Sequence, residues 1–220
     1  MRPEEEFIRW DWLARNLDML AFRLGEHMLI TLVAVVVGFA IAFPVALLIY
    51  RRRRLIGPIL GLAGALYVIP SLALFGLLIP ITGISLLTAE IALVSYTLLI
   101  LVRNTLIGLD GVSPEVLDAA DGLGLSAHQR LWRVELPLAV PLIVTGLRLA
   151  TVTTIGLVAV TALIGQGGLG FVILTLGIDR FFATAIYAGS LLSVLLAVVA
   201  DLGFVWLQRR LTPWSRARVA

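Results

Sequence analysis

MLITLVAVVVGFAIAFPVALLIYRRRR, residues 28–54, decides the fold. Its first 23 residues, Met28 to Tyr50, carry no charge, and at ~1.5 Å of rise per residue a helix of that length clears a ~30 Å hydrocarbon layer. Four consecutive arginines, Arg51 to Arg54, then stop it. The rest of the chain repeats the pattern. The 220 residues are 60% hydrophobic and 14% charged, with mean hydropathy +1.04. Soluble domains run at ~45–50% apolar and ~25% charged, so this excess does not fit inside one water-soluble core. Spanning helices can be apolar on every side.

Outward from that run, Leu55 to Ala89 is uncharged, too long for one helix, and interrupted by Pro58, Pro70, Pro80 and Gly83. A second span is predicted over residues 57–78, followed by a tight turn, with a kink at Pro70, whose ring frees a carbonyl. A third is expected over 86–106, with Arg103 reaching toward headgroups, a fourth over 138–164, and a fifth over 183–207. The fold class read from this is an all-α membrane protein of about five transmembrane helices. Residues 1–26 are amphipathic, with Glu4, Glu5, Glu6 and Asp11 against Arg2, Arg9 and Arg15, and lack the basic-then-apolar order of a signal peptide. They read as an interfacial helix or a loosely ordered polar tail. Residues 27–208 form the membrane domain and 209–220 an arginine-rich tail.

All 17 basic residues are arginine. Without lysine no GxxxxGK[ST] phosphate loop exists, so any ATP is bound by another chain. Without cysteine there are no disulfides and no thiolate sites. The arginines sit at the ends of apolar runs, which reads as topology and not as a nucleic-acid surface. Placing 51–54, 103–137 and the C-terminus in the cytoplasm leaves only the N-terminal arginines and Arg180 outside, with Arg148 inside the fourth span.

Asp110 to Pro137 is the one long polar stretch within the hydrophobic part. Ser113-Pro114-Glu115 reads as a helix start, with Pro at the first helical position and a carboxylate at the positive end of the dipole. That helix is expected to run to about Asp121 and to end at Gly122 and Gly124. Ser126-Ala127-His128-Gln129 matches a capping box, so a second short helix should follow and stop before Pro137. Val116, Ala119, Ala120 and Leu123 form an apolar stripe that a partner could cover.

This stretch resembles the cytoplasmic signature of permeases from ATP-binding-cassette importers, written EAA-x3-G-x9-I-x-LP. The sequence has Asp118-Ala119-Ala120, three residues, Gly124, nine residues, Val134, Glu135, Leu136-Pro137, with every spacing kept and Asp118 and Val134 as conservative departures. Further stretches, Glu26-His27-Met28, Val68-Ile69-Pro70-Ser71, Leu131 to Pro137, Gly146 to Thr151 and Ile164 to Gly170, look like the permeases for glycine betaine, choline, carnitine and related osmoprotectants. The resemblance implies a type I importer permease fold in the bacterial inner membrane, N-terminus outside and C-terminus inside. It implies a coupling hairpin seated in a groove of separate ATPase subunits, with Asp118 making polar contacts, Ala119 and Ala120 packing closely, Gly124 setting the bend, Val134 and Leu136 completing the signature, and Pro137 separating hairpin from span. The implied partners are those ATPases, a periplasmic or lipoprotein solute-binding protein, a second permease copy or a homologous permease, and lipid. No cofactor and no nucleic acid are implied. A methionine permease, or a self-contained secondary transporter, is the alternative, the latter disfavoured by the absence of a visible inverted repeat.

Gly165, Gly167 and Gly170 satisfy GxGxxG, but a membrane-length run precedes them and no βαβ unit surrounds them, so a flexible exit loop is expected. Pro70, Ser71, Ser95, Thr151 and Thr154 are candidates for a polar translocation pathway, although hydroxyls in membrane helices also bond back to the backbone. Glu90 and Asp201 lie in or near spans, and Arg148 is an available partner for one of them. His27 and His128 are too far apart in sequence, and too short of acidic neighbours, to suggest a metal. No catalytic constellation is legible.

Overall fold

A computed structural model describes residues 8–212. Among them every regular element is helical. Helix α1 (Trp10–Arg15) is followed, after one residue, by α2 (Leu17–Arg51). Next come α3 (Ile56–Val68), α4 (Ser71–Thr82) and α5 (Leu86–Asp110). A polar hairpin contains α6 (Pro114–Gly122) and α7 (Ala127–Arg130), and leads through a π-helical turn, Leu131–Glu135, into α8 (Leu136–Val160). The short α9 (Leu169–Phe171) and α10 (Ala183–Leu211) complete the order. Four helical stretches, at 17–51, 86–110, 127–164 and 183–211, are long and apolar enough to cross a membrane, and the count is five when the bent pair α3 and α4 is taken as one broken span.

Two expectations about the spans need correction. The second span is not one kinked rod: Pro70 adopts φ −56° and ψ 137°, and α3 and α4 meet at a 98° bend. Proline cannot donate to the helical ladder, and it pushes the residue before it out of the α region, so at Ile69-Pro70 the helix stops altogether. Nor does the helix of the first span begin at Met28. Residues 17–27 are already in α2, because Leu17, Leu20, Leu24 and His27 follow helical spacing, and Leu20 and His27 are buried. The helices also overrun their predicted ends, α5 to Asp110 and α10 to Leu211, so Arg209 and Arg210 belong to a helix and not to a tail. The expectations for Arg2, Glu4, Glu5 and Glu6, and for the tail from 213 on, lie outside the described residues.

The contacts divide the chain into two compact units. One draws on residues up to Val36, on Ile69–Val94 and on Thr151–Val199; the other on Val37–Val68, Ser95–Ala150 and the chain from Ala200. Each is packed by small residues. Ala34, Ala89, Ala92 and Ala185 in the first, and Ala42, Ala46, Ala139 and Ala150 in the second, are wholly buried, whereas Leu62, Leu77, Leu191 and Val199 are more than 60% exposed. That is the reverse of a soluble core. Lipid tails are as apolar as leucine, so burying leucine brings no hydrophobic gain in a bilayer, and helices associate through close backbone approach instead. Gly38 illustrates it: a Cβ there would overlap the Thr97 hydroxyl, so α2 and α5 touch only because the side chain is missing.

Candidate coupling site

The hairpin at 113–137 is built by local rules. Ser113 (φ −66°, ψ 145°) stands just before Pro114 at the first helical position. Its hydroxyl does not cap the backbone; it bonds Glu115, whose carboxyl is held below the usual carboxylate range first by its own backbone N–H and then by Ser113. The other end of α6 closes in a paired motif: Gly124 N–H donates to the Asp121 carbonyl at 2.9 Å, and Leu125 N–H to the Ala120 carbonyl at 3.3 Å. This pair of bonds satisfies carbonyls that a helix C-terminus otherwise leaves free, and needs a residue at positive φ between them. Gly124 supplies it at φ +74°. Ser126 then opens α7 with a reciprocal cap, Gln129 N–H to Ser126 Oγ at 3.3 Å and Ser126 N–H to Gln129 Oε1 at 2.9 Å.

The second helix does not stop before Pro137. The π-helical turn shifts hydrogen bonding from i−4 to i−5, with Leu136 N–H donating to the Leu131 carbonyl, and the chain continues into α8. Pro137 falls in the first turn after that register change, where a missing N–H costs little. It therefore joins hairpin and span in one helical stretch and does not separate them.

Arg130 ties the hairpin together. Its Nη1 bonds the Asp121 carboxylate at 2.5 Å and its Nε bonds Glu135 at 2.8 Å, linking the end of α6 to the π turn. Charge-assisted bonds of this kind are roughly twice as strong as neutral ones. Below it Leu131, Leu136, Ala139 and Ile143 pack on Leu109 at the end of α5, so the hairpin stands on a packed base. Neither Arg130 nor Glu135 was singled out in the sequence; their signal, charges nine and fourteen residues from Asp121, has meaning only once the chain has turned back.

Of the signature residues, Ala120 and Leu136 are buried, Val134 and Pro137 are half-buried, and Asp118, Ala119 and Gly124 are exposed. The expected apolar stripe is divided: Ala120 faces inward, while Val116 is 38% and Leu123 81% exposed. Trp132, 51% exposed with its ring 6.1 Å from that of His128, adds to the uncovered surface. Large apolar side chains exposed on a polar hairpin are the kind of surface at which proteins bind partners.

The remaining candidates are more dispersed. Pro70 and Ser71 stand at the α3–α4 break, Ser95 is half-buried on α5, and Thr151 and Thr154 lie on α8, Thr154 buried. Arg148 on α8 pairs with Asp201 on α10 through Nε and, at 2.8 Å, through Nη2, which realises the interhelical partnership open to it in the sequence. Glu90 has a buried Oε2 with no hydrogen-bond partner.

The glycine-rich connector is not a flexible loop. After Gly165 and Gly168, both at positive φ, residues 169–178 are helical, with Leu169 and Val172 fully buried. His27 and Glu26 of α2 hold its start: Leu169 N–H donates to His27 Nδ1 at 3.2 Å and Gly168 N–H to Glu26 Oε2 at 3.1 Å. His27 Nε2 lies 2.9 Å from the Ile155 carbonyl, an arrangement that asks for a neutral ring donating at Nε2 and accepting at Nδ1. This histidine is structural. Among the described residues no group of three or more His, Cys, Asp or Glu could hold a metal.

Residues 31–213 match the model of the family described as "Binding-protein-dependent transport system inner membrane component". The osmoprotectant import permease protein OsmW of Salmonella typhimurium is 40% identical over 205 residues, covering 91% of this chain and 93% of that protein. The glycine betaine/carnitine/choline permease OpuCB and the choline permease OpuBB, both of Bacillus subtilis, are each 33% identical, covering 92% and 94% of this chain and 93% and 95% of theirs. Among solved structures, two inward-facing crystal forms of the MetNI methionine transporter match with TM-scores of 0.80 and 0.82 at 23% and 22% identity, covering 90% and 89% of this chain and 98% and 97% of those. At that identity the likeness shows the fold, a type I permease of ATP-binding-cassette importers. The chain belongs to the family of inner membrane components of binding-protein-dependent transport systems.

Proposed function

We propose that this chain is the membrane-spanning subunit of an ATP-driven importer for osmoprotectants bearing a quaternary ammonium group, of the glycine betaine, choline and carnitine kind. Relatives at 33–40% identity over more than nine-tenths of the chain carry the reading, one named for osmoprotectant import and two for glycine betaine, carnitine or choline transport. ATP is hydrolysed on separate ATPase subunits, an external binding protein delivers the cargo, and a second permease, identical or homologous, completes the membrane part. Residues 113–137 face the cytoplasm, with the N-terminus outside.

In this mechanism the exposed Val116, Asp118, Ala119, Leu123 and Trp132 sit in a groove of the ATPase. Closure of the ATPases on ATP moves the hairpin. Because the hairpin continues through the π turn into α8 and rests on α5, its displacement is carried into two spans, which then exchange between discrete packed arrangements. Pro70, Ser71, Ser95, Thr151 and Thr154 are assigned to the polar route that opens.

The test is uptake of labelled glycine betaine, choline, carnitine and methionine by vesicles holding permease, ATPase and binding protein. ATP-dependent uptake of the quaternary ammonium compounds is expected, and uptake of methionine alone would overturn the cargo assignment. Separately, Ala119→Arg should abolish co-purification of the ATPase while leaving membrane insertion intact; undiminished co-purification would remove the hairpin from the coupling role.

A further inference from the structure

Arg148 stands midway along α8, a helix of 25 residues, and its partner Asp201 on α10 stands ~12 Å of helix before Arg209. The two helices run antiparallel here in a defined register. Nearer the hairpin, the Gln208 side-chain amide donates to the Pro141 carbonyl at 3.2 Å, and the Thr145 hydroxyl donates to the same carbonyl at 2.9 Å. Pro141, Thr145 and Arg148 recur at helical spacing on one face of α8, as Asp201 and Gln208 do on α10. A polar seam therefore joins the hairpin-side halves of two spans, in a solvent where helices otherwise associate through small residues.

The seam leaves donors unanswered at its deepest point. Arg148 engages both Asp201 oxygens, through Nε and, at 2.8 Å, through Nη2; its Nη1 has no acceptor among the described residues and is not closed off by its neighbours. About a third of each side chain stays open, 36% of the arginine and 32% of the aspartate. The two-bond grip fixes the guanidinium plane, so this arginine does not swing along the helix to the headgroups as a free one does. Lipid tails offer no acceptor, and ionisable groups at such depth mark spans that face a polar route. Thr151, assigned above to that route, follows one turn further along α8. Charge then restricts what fits. The pair is neutral overall, with one positive and one negative end. A lone cation is repelled at Nη1 and a lone anion at Asp201, whereas a zwitterion matches both ends.

We propose that Arg148 and Asp201 form a subsite on the cargo route that takes the carboxylate of zwitterionic quaternary ammonium compounds, favouring glycine betaine and carnitine over choline, which has no carboxylate. Nη1 of Arg148 donates to the cargo carboxylate. Asp201 holds the guanidinium in place and faces the cationic end. The inference rests on the transport reading above and adds to it which cargo the membrane part prefers.

The experiment is uptake by vesicles holding permease, ATPase and binding protein, the binding protein saturated in turn with labelled glycine betaine, carnitine and choline. Maximal turnover is read, so that delivery is not limiting. Arg148→Gln combined with Asp201→Asn removes both charges and orphans neither. In that variant turnover of glycine betaine and carnitine should fall about tenfold, the scale of one bond to a charged group, with choline unchanged. The exchange Arg148→Asp with Asp201→Arg keeps an ion pair, and with it the melting temperature, but moves the free donors to α10. Glycine betaine turnover should stay low there, whereas a pair that only holds helices together would restore it. Equal loss of all three cargoes in the neutral variant, or full recovery of glycine betaine turnover in the exchange, would overturn the proposal. Loss of association between permease copies in the neutral variant would also overturn it, by placing this face in an interface between them. Wild-type vesicles that take up none of the three would instead overturn the transport reading itself.

Discussion

Arg148 and Asp201 are single residues whose meaning the bilayer sets. Each keeps about a third of its side chain exposed, 36% and 32%, so the pair is not sealed, and full buried-pair costs of ~3–5 kcal/mol overstate its loss. Interhelical polar contacts in membrane proteins average nearer ~1 kcal/mol. Arg148→Ala should therefore lower stability by about 1–2 kcal/mol, and the exchange Arg148→Asp with Asp201→Arg should recover most of it; thermal unfolding in detergent of the single and double variants checks both. Gly170 makes the opposite point, that of a missing side chain. A Cβ there would fall onto the Ala159 carbonyl oxygen, which is backbone and cannot swing away. Gly170→Ala should cost about 1–3 kcal/mol through overpacking and should loosen the helical segment 169–178, seen as faster hydrogen exchange at Leu169 and Val172. The sequence marked Gly170 as the end of a family-like stretch and as part of a false nucleotide motif, neither of which says why a glycine stands there. The tight approach that explains it needs two segments eleven residues apart to fold onto each other.

At the scale of elements, the hairpin was the most legible part of the chain because its rules are local. A serine three residues before glutamine, a proline after a serine and a glycine at a helix end act within one or two turns, and α6, the bend at Gly124 and the Ser126 cap stand where those signals put them. Gly124→Ala has open space for its methyl but a backbone at φ +74°, so the cost is conformational, about 1–2 kcal/mol. Ser126→Ala should cost ~1 kcal/mol by loss of the cap. Both should lower ATPase activity stimulated by the binding protein while changing the melting temperature of the bundle little; a large fall in melting temperature would place Gly124 in the bundle's stability instead. What the sequence could not show was continuation through Pro137. A π turn depends on how Leu131 and Leu136 seat against Leu109, and no local pattern encodes that. The break at Pro70 was foreseen as a kink, whereas the helix stops there altogether.

For the whole molecule, orientation is the property most directly open to experiment. The chain has no cysteine, so single cysteines can be introduced without background. Leu123→Cys, at an 81% exposed position, should react with a membrane-impermeant maleimide in inverted vesicles and stay unreacted in intact cells. Labelling in intact cells would reverse the topology and remove the hairpin from any cytoplasmic ATPase. Membrane class, four of the apolar spanning stretches and the place of the hairpin in the chain were determined by the sequence alone, because length, charge and hydropathy act on each segment independently of its neighbours. Only the tertiary structure decided which polar groups meet: Arg148 with Asp201, His27 with Leu169, and Arg130 with Asp121 and Glu135. Those pairings depend on the rotation and depth at which helices pack, and in a bilayer small-residue contacts such as that of Gly38 with Thr97 set these without leaving a period in the sequence.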